Sequence, residues 1–302
     1  MPAHSPAFTA SPTPPPPPAT ARASTPPPIV QAGDVTLRPL ATIDEYVDCV
    51  AIQTETWGAD YDERVPPALL QVAAKVGGLV IGAFSSDGAL QGFVFGLAGE
   101  KDGERVHWSH MLAVRSRARG AGIGRLLKEY QRAELARRGV SRLYWTFDPL
   151  QARNAHLNVN RLGVRVIDYV VDMYGTSRSP LHLGIPTDRF VVMWRTTDQQ
   201  AGAAATPDDP CLPILTAFPR SGDNLLNGDP ERATSALIEI PLDVQRVVEA
   251  SPALAAQWRT STRQHFQWAL EHGYSITALR RDLDTSRAFY IITRDGAAPN
   301  AG

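Results

Sequence analysis

The sequence predicts an α+β fold, a mixed and mostly antiparallel sheet flanked by helices, with a C-terminal α/β extension. Three observations predict it. Strand patterns at 78–84, 90–97 and about 106–114 follow one another with turn-length connections, which makes an antiparallel meander. A helical pattern from about 123 to Gly139 then separates the third strand from Arg142–Phe147, a βαβ crossover whose two strands should be parallel. Beyond an Ala-, Gly- and Pro-rich stretch at 198–235, apolar patterning resumes over 236–293.

The elements follow in order. Asp34–Leu40 alternates as a strand, and Thr42 caps a helical pattern carrying Tyr46, Val47, Val50, Ile52 and Trp57. A second helix is expected at about 67–76. The turn residues Ser85, Ser86, Asp87 and Gly88 join the first two strands of the meander. Ile123, Leu126, Leu127 and Tyr130 fall at i, i+3, i+4 and i+7, and Gly139 ends that helix. A shorter helix runs from Asn154 to Leu162, strands lie at about 164–174 and 189–197, and 175–188 is a loop. In the extension, Ala236–Ile240 is a strand, 243–272 is helical with a restart at Ser251-Pro252, and 274–293 forms one or two strands. It is expected to pack on the main sheet and to lend Trp258, Phe266 and Trp268 to a shared core or a wall of the site. Arg259 and Arg263, four apart on one helix face, read as a solvated face.

Eleven of the 25 prolines lie in residues 1–30, so that segment reads as a disordered polyproline-like arm and the fold is expected to begin near residue 31. The arm lacks the apolar run of a secretory signal. No stretch reaches the roughly 20 apolar residues that span a bilayer. Cys49 and Cys211 are too few for a disulfide framework. These features read as a cytoplasmic protein with no membrane partner. The formal charge of −1 gives no reason to expect a nucleic-acid partner. Whether the chain forms a homodimer is left open.

Chemistry is concentrated in Leu112–Lys128. A strand ends in a glycine-rich turn that opens a helix, so backbone N–H groups converge where the helix dipole favours an anion. Gly120, Gly122 and Gly124 let a ligand approach the backbone, and Arg119 and Arg125 can neutralise a diphosphate. Arg115, Arg117 and Lys128 extend the basic run beside the turn. Two other readings stay open. One is a ligand-free loop; the other is a nicotinamide or flavin site of an oxidoreductase, with Asp148 as its acidic residue. The spacing, however, is G-x-G-x-G, and a hairpin precedes it.

Arg119-x-x-Gly122-x-Gly124, on a strand–turn–helix after an antiparallel meander, resembles the acyl-CoA pyrophosphate loop of the GNAT acyltransferase superfamily. The resemblance covers about 34–197 and includes Asn154-Ala155 and Leu162-Gly163, so residues 31–197 are read as the acyltransferase domain. The strings Ser109–Val114, Trp145–Leu150, Asn154–Asn158 and Pro186–Arg189 resemble a branch that includes succinyl-CoA-dependent N-acyltransferases of amino acids. The resemblance implies a splayed parallel strand pair with a pantetheine arm wedged between, bonded to backbone near Leu112 and Val114. It places the diphosphate on residues 119–125 and makes Asn154 a further cofactor contact. The cosubstrate would be acetyl-CoA or succinyl-CoA, the acceptor the amine of a small molecule, and no metal would be needed.

The family often places a Glu base on the strand before the loop and a Tyr acid on the following helix. Counting from Leu112–Val114 puts His110 at the first position, and counting from Leu162-Gly163 puts Val159 at the second. An imidazole with an ordinary pKa near 6.5 is largely neutral at pH 7 and can accept a proton. Tyr169 and Tyr174 are the replacement acids, Asp148 and Asp172 the candidate partners of an ammonium, and Arg189 that of a carboxylate. His182 lies in the nearby loop. The absent Tyr keeps a second class of function open, a non-catalytic acyl-CoA-binding or sensing protein.

Overall fold

The computed structural model describes residues 27–175, 185–197, 212, 214, 215 and 233–294. The first 26 residues of the arm, 176–184 with His182, and most of 198–232 lie outside the described residues.

Strand β1 (Val30–Ala32) pairs antiparallel with β2 (Val35–Pro39), so the sheet starts at Val30, inside the segment assigned to the arm. Pro28 lacks an N–H but keeps its carbonyl, and that carbonyl accepts from the Tyr130 hydroxyl. Helix α1 (Ile43–Trp57) opens on a capping box between Thr42 and Glu45. Helix α2 (Pro67–Lys75) starts with proline, where the missing N–H costs nothing. Both cover one face of the meander β3 (Leu79–Phe84), β4 (Leu90–Lys101) and β5 (Glu104–Val114), burying Cys49, Ile52, Leu70, Phe93, Phe95 and Met111.

Helix α3 (Ile123–Arg137) crosses the other face and returns as β6 (Arg142–Phe147). The two strands are parallel, as expected of a crossover, but they pair only where Val106–Trp108 meets Arg142–Tyr144. Beyond Trp108 they part. Helix α4 (Ala152–Ala155) continues as a π-helical stretch, His156–Arg161. Strand β8 (Arg189–Arg195) inserts between β6 and β7 (Arg165–Val170), giving the eight-stranded order β1-β2-β3-β4-β5-β6-β8-β7. The strand expected to reach residue 174 stops at Val170, because Asp172 adopts φ +46° and turns the chain.

The extension builds its own sheet. Strand β9 (Ile214–Leu215), β10 (Ser235–Pro241), helices α5 (Val244–Ala250) and α6 (Pro252–Glu271), β11 (Tyr274–Asp282) and β12 (Arg287–Arg294) give the strand order β11-β12-β10-β9. One apolar core runs through both sheets. Phe266 of α6 is fully buried against Phe190 and Tyr290, with ring centres 4.7 and 5.1 Å away. Burying such a side chain is worth roughly 2–3 kcal/mol. Trp258 and Trp268 are partly buried against the same core.

Arg259 and Arg263 do not form a solvated face. Arg259 is 1% exposed and donates to the buried Asp148 at 2.7 Å, while Arg263 grips Asp188 with two bonds of 2.8 Å. The side-chain amide of Asn160 adds a reciprocal pair of 2.9 Å bonds with the backbone of Leu279. These contacts join the connection from β6 to α4, the π-helical stretch and the approach to β8 to the extension. Among the described residues no helix is long and apolar enough to cross a membrane.

Candidate functional site

Where β5 and β6 part, the chain between β5 and α3 forms the glycine-rich turn. Gly120 and Gly122 take φ of +92° and +79°, a region that favours glycine, and a Cβ on either would meet no protein atom within 4 Å. Gly122 is also the residue from which α3 starts. The turn therefore offers an open cradle at the positive end of a 15-residue helix. A groove of about 830 Å³ runs along it, and all of Leu112, Val114, Arg119, Gly120, Gly122, Gly124, Arg125 and Asn154 line it.

Two side-chain atoms on the groove wall, Thr56 Oγ1 and His156 Nδ1, are buried without a hydrogen-bond partner among the described residues. With the interrupted β5–β6 ladder, they mark a surface that suits an extended polar ligand with an anionic section. The basic run is only partly at the turn. Arg115 pairs with Glu55 at 3.2 Å, and Arg117 donates to Gln91. Arg119 donates to the Val114 carbonyl and Arg125 pairs with Glu129, both from the groove lining. Lys128 lies elsewhere.

The groove opens into a chamber of about 180 Å³; Trp57, Leu112, Asn154, Leu157 and Arg189 line both. His110 stands on the chamber wall. Phe95 faces Met111 and Gly96 faces Ser109, so His110 is the extra residue of a β-bulge, a device that re-aims a side chain. Gly96 is obligatory opposite it, since a Cβ there would lie 2.2 Å from His107 Nε2. Burial lowers the basicity of His110 and the charge of Glu63 opposes this, with a net downward shift from 6.5. The imidazole is therefore neutral at pH 7.

Tyr174 lines the same chamber from the turn after β7, its hydroxyl 3.1 Å from Thr146 Oγ1. Val159 is buried in the core and brings no proton donor. Lys128 descends from α3 to the chamber, donates to Ser109 Oγ at 2.7 Å, and lies 3.7 Å from the centre of the Trp145 ring. Ser109 and Trp145 are the first residues past the last paired positions of β5 and β6, so the Lys128 amine sits in the fork between the strands. Among the described residues no carboxylate pairs with it, and burial pushes its basicity well down.

Three predicted residues belong to other structures. Tyr169 lines neither cavity; its hydroxyl donates to Asp188 at 2.6 Å inside the core, and burial first, then Asp188, pushes the phenol far above its ordinary range. It is no acid for this cleft. Asp172 also lines neither cavity, because its carboxylate accepts from the Thr187 backbone at 2.9 Å and fixes the turn. Asp148 reaches the groove, but its two oxygens are taken by the Leu150 amide and Arg259. Burial alone would raise its pKa; the Arg259 guanidinium outweighs this and holds it below the usual carboxylate range. It is unsuited to bind an ammonium.

Glu63, absent from the sequence reading, supplies the carboxylate in the chamber, and the Tyr61 hydroxyl donates to it at 3.0 Å. It lies in the connection between α1 and α2, where no spacing ties it to His110. Lys128 had a signal: with Gln131 it interrupts the buried stripe of α3. Among the described residues no group of three His, Cys, Asp or Glu side chains is arranged to hold a metal.

Naa50 of Arabidopsis thaliana, in complex with a bisubstrate analogue, is 17% identical with a TM-score of 0.43, covering 53% of this chain and 98% of that one. The ribosomal-protein-S18-alanine N-acetyltransferase of Escherichia coli is 16% identical with a TM-score of 0.43, covering 56% and 99%. The putative acetyltransferase yncA of Salmonella typhimurium, with its cofactor acetyl-CoA, is 17% identical with a TM-score of 0.43, covering 58% and 100%. A search of curated proteins finds no match. The family model described as Acetyltransferase (GNAT) family matches residues 46–163, which span the helices α1 to α3, the meander, the glycine turn and the π-helical stretch. Residues 46–163, about two fifths of the chain, are thus similar to a GNAT-family acetyltransferase domain.

Proposed function

We propose that the chain moves an acyl group, acetyl or succinyl, from an acyl-CoA to the amine of a small molecule, an amino acid, by direct attack within a ternary complex. The observation that carries this reading is the junction itself: the groove beside the glycine turn opens into a chamber where a neutral imidazole, a carboxylate and a guanidinium meet. The thioester supplies an activated acyl carbon and a thiolate leaving group. Residues 119–125 would hold its diphosphate, while Leu112, Val114 and Asn154 flank the arm that leads to the chamber.

The remaining roles belong to side chains. Glu63 orients the acceptor ammonium, and Arg189 pairs with the acceptor carboxylate. His110 takes the proton that the ammonium must lose before it attacks. Tyr174 is the chamber phenol placed to return a proton to the thiolate. Lys128, buried without a carboxylate partner, favours the succinyl donor, because the distal carboxylate of that acyl group would complete it.

The test is mass spectrometry of products from acetyl-CoA and succinyl-CoA, each incubated with a mixed amino-acid pool. An acylated amino acid and free thiol are expected. Tight donor binding without product across the pool would overturn the enzyme reading and leave an acyl-CoA-binding protein. His110→Ala should lower kcat at pH 7 by about 100-fold. That deficit should shrink above about pH 9, where the amine increasingly deprotonates unaided. Because the basicity of His110 is depressed, wild-type activity should persist below pH 6.5 before the imidazole protonates. A loss that is uniform with pH would remove His110 from the role of base.

A further inference from the structure

The diphosphate position at the glycine turn and the arm leading to the chamber leave one part of the groove unassigned. Its near wall carries Arg153 of α4 and His156 of the π-helical stretch; its far wall comes from the extension, with Asp243 and Arg281. Arg153 and Arg281 are exposed guanidiniums, while His156 Nδ1 is buried and has no hydrogen-bond partner among the described residues. The carboxylates on these walls are already engaged. Asp243 accepts from the Gln245 and Arg246 amides at the start of α5 and lies 3.5 Å from the Arg246 side chain; Asp148 is held by Arg259. Among the described residues lining this end of the groove, the two guanidiniums therefore face carboxylates that already hold other partners.

We propose that Arg153, His156 and Arg281 read a phosphomonoester, the 3′-phosphate on the ribose of the donor nucleotide, and that the C-terminal extension supplies the outer half of this site. The proposal rests on the reading of the groove as an acyl-CoA site. Two guanidiniums match the geometry of a phosphate dianion, and a protonated or Nδ1-H imidazole gives a third donor. Burial, then the charges of Arg281 and Arg161, depresses the basicity of His156, which places Arg281 within electrostatic reach of the ring. A phosphate would relieve that repulsion. The extension thus acts on the cosubstrate end of the reaction as well as on the core it shares with the domain.

The test compares CoA with 3′-dephospho-CoA by titration calorimetry on the full chain. Wild type should prefer CoA by about tenfold, the effect of one charge-assisted contact. Arg281→Ala should reduce the preference to about twofold, with the affinity for 3′-dephospho-CoA and the melting temperature unchanged, and Arg153→Ala should act in the same direction. Equal binding of the two nucleotides by wild type, or an equal loss for both in Arg281→Ala, would overturn the inference while leaving the donor groove intact. Binding of neither would overturn the groove reading and the inference together. Displacement of CoA by inorganic phosphate as readily as by 3′-phosphoadenosine would assign the site to a free anion and refute the nucleotide assignment.

Discussion

Gly122→Val is expected to weaken acyl-CoA binding by about 100-fold or more, the equivalent of roughly 2.7 kcal/mol. Gly122 has φ +79° and sits where α3 begins, so its amide neighbours are the donors of the cradle. The space its Cβ would enter is empty of protein, so two added methyl groups would stand in the position proposed for the diphosphate. A β-branched residue at this φ also costs about 1–2 kcal/mol of backbone strain. Strain and obstruction can be separated. Gly88, in the turn between β3 and β4, has φ +82° and the same open surroundings, so Gly88→Val carries the strain without touching the groove. Calorimetry should find donor affinity intact in Gly88→Val and lost in Gly122→Val. Unchanged affinity in Gly122→Val would refute the assignment of the glycine turn to the donor.

Arg259→Met is expected to destabilise the protein by about 3–5 kcal/mol, the cost of leaving one member of a buried ion pair behind. Asp148 would keep only its bond from the Leu150 amide, at a site where 2% of the residue meets solvent. In the wild type Arg259 holds the Asp148 pKa below its unfolded value, so the stabilisation is present above the usual carboxylate range and is lost as pH falls through the folded pKa. In Arg259→Met burial, the largest influence, would be opposed only by the weaker effects of Arg189 and the Leu150 amide, so the pKa should rise and the deficit should narrow as the solution is acidified and Asp148 protonates. Urea unfolding at pH 7.5 and pH 5 reads both effects. The double variant with Asp148→Asn should be more stable than Arg259→Met alone. A single-variant loss under about 1 kcal/mol would show that the clasp contributes little.

The order of elements was legible because periodicity and turn chemistry are local. The meander, the crossover and the glycine turn each depend on neighbours within a dozen residues. The residues proposed to bind the donor shared that advantage, as one turn and the strand before it contain nearly all of them. The acceptor side did not. Glu63, His110, Tyr174 and Arg189 come from four separate segments, and only the fold decides that Glu63 enters the chamber while Asp172 turns away. Tyr169 and Tyr174 are five apart and chemically identical in sequence; a strand that stops at Val170 sends one into the core and the other into the cleft. Arg259 and Arg263 looked like a solvated pair because a helix wheel cannot show the carboxylates, 111 and 75 positions away, that await them.

The bulge at His110 also sets the phase of its strand. Before it, His107 and Ser109 face α3, where they meet Gln131 and Lys128; after it, Leu112 and Val114 pack against the α3 side while Met111 and Ala113 enter the core under α1 and α2. The odd positions face α3 on one side of the bulge and the even positions on the other. Deleting His110 would set Ser109 and Met111 side by side opposite Gly96 and Phe95, a regular ladder in which Met111 and Ala113 keep the face under α1 and α2. The bulge thus adds one side chain, His110, to the chamber wall while the rest of β5 keeps its two faces.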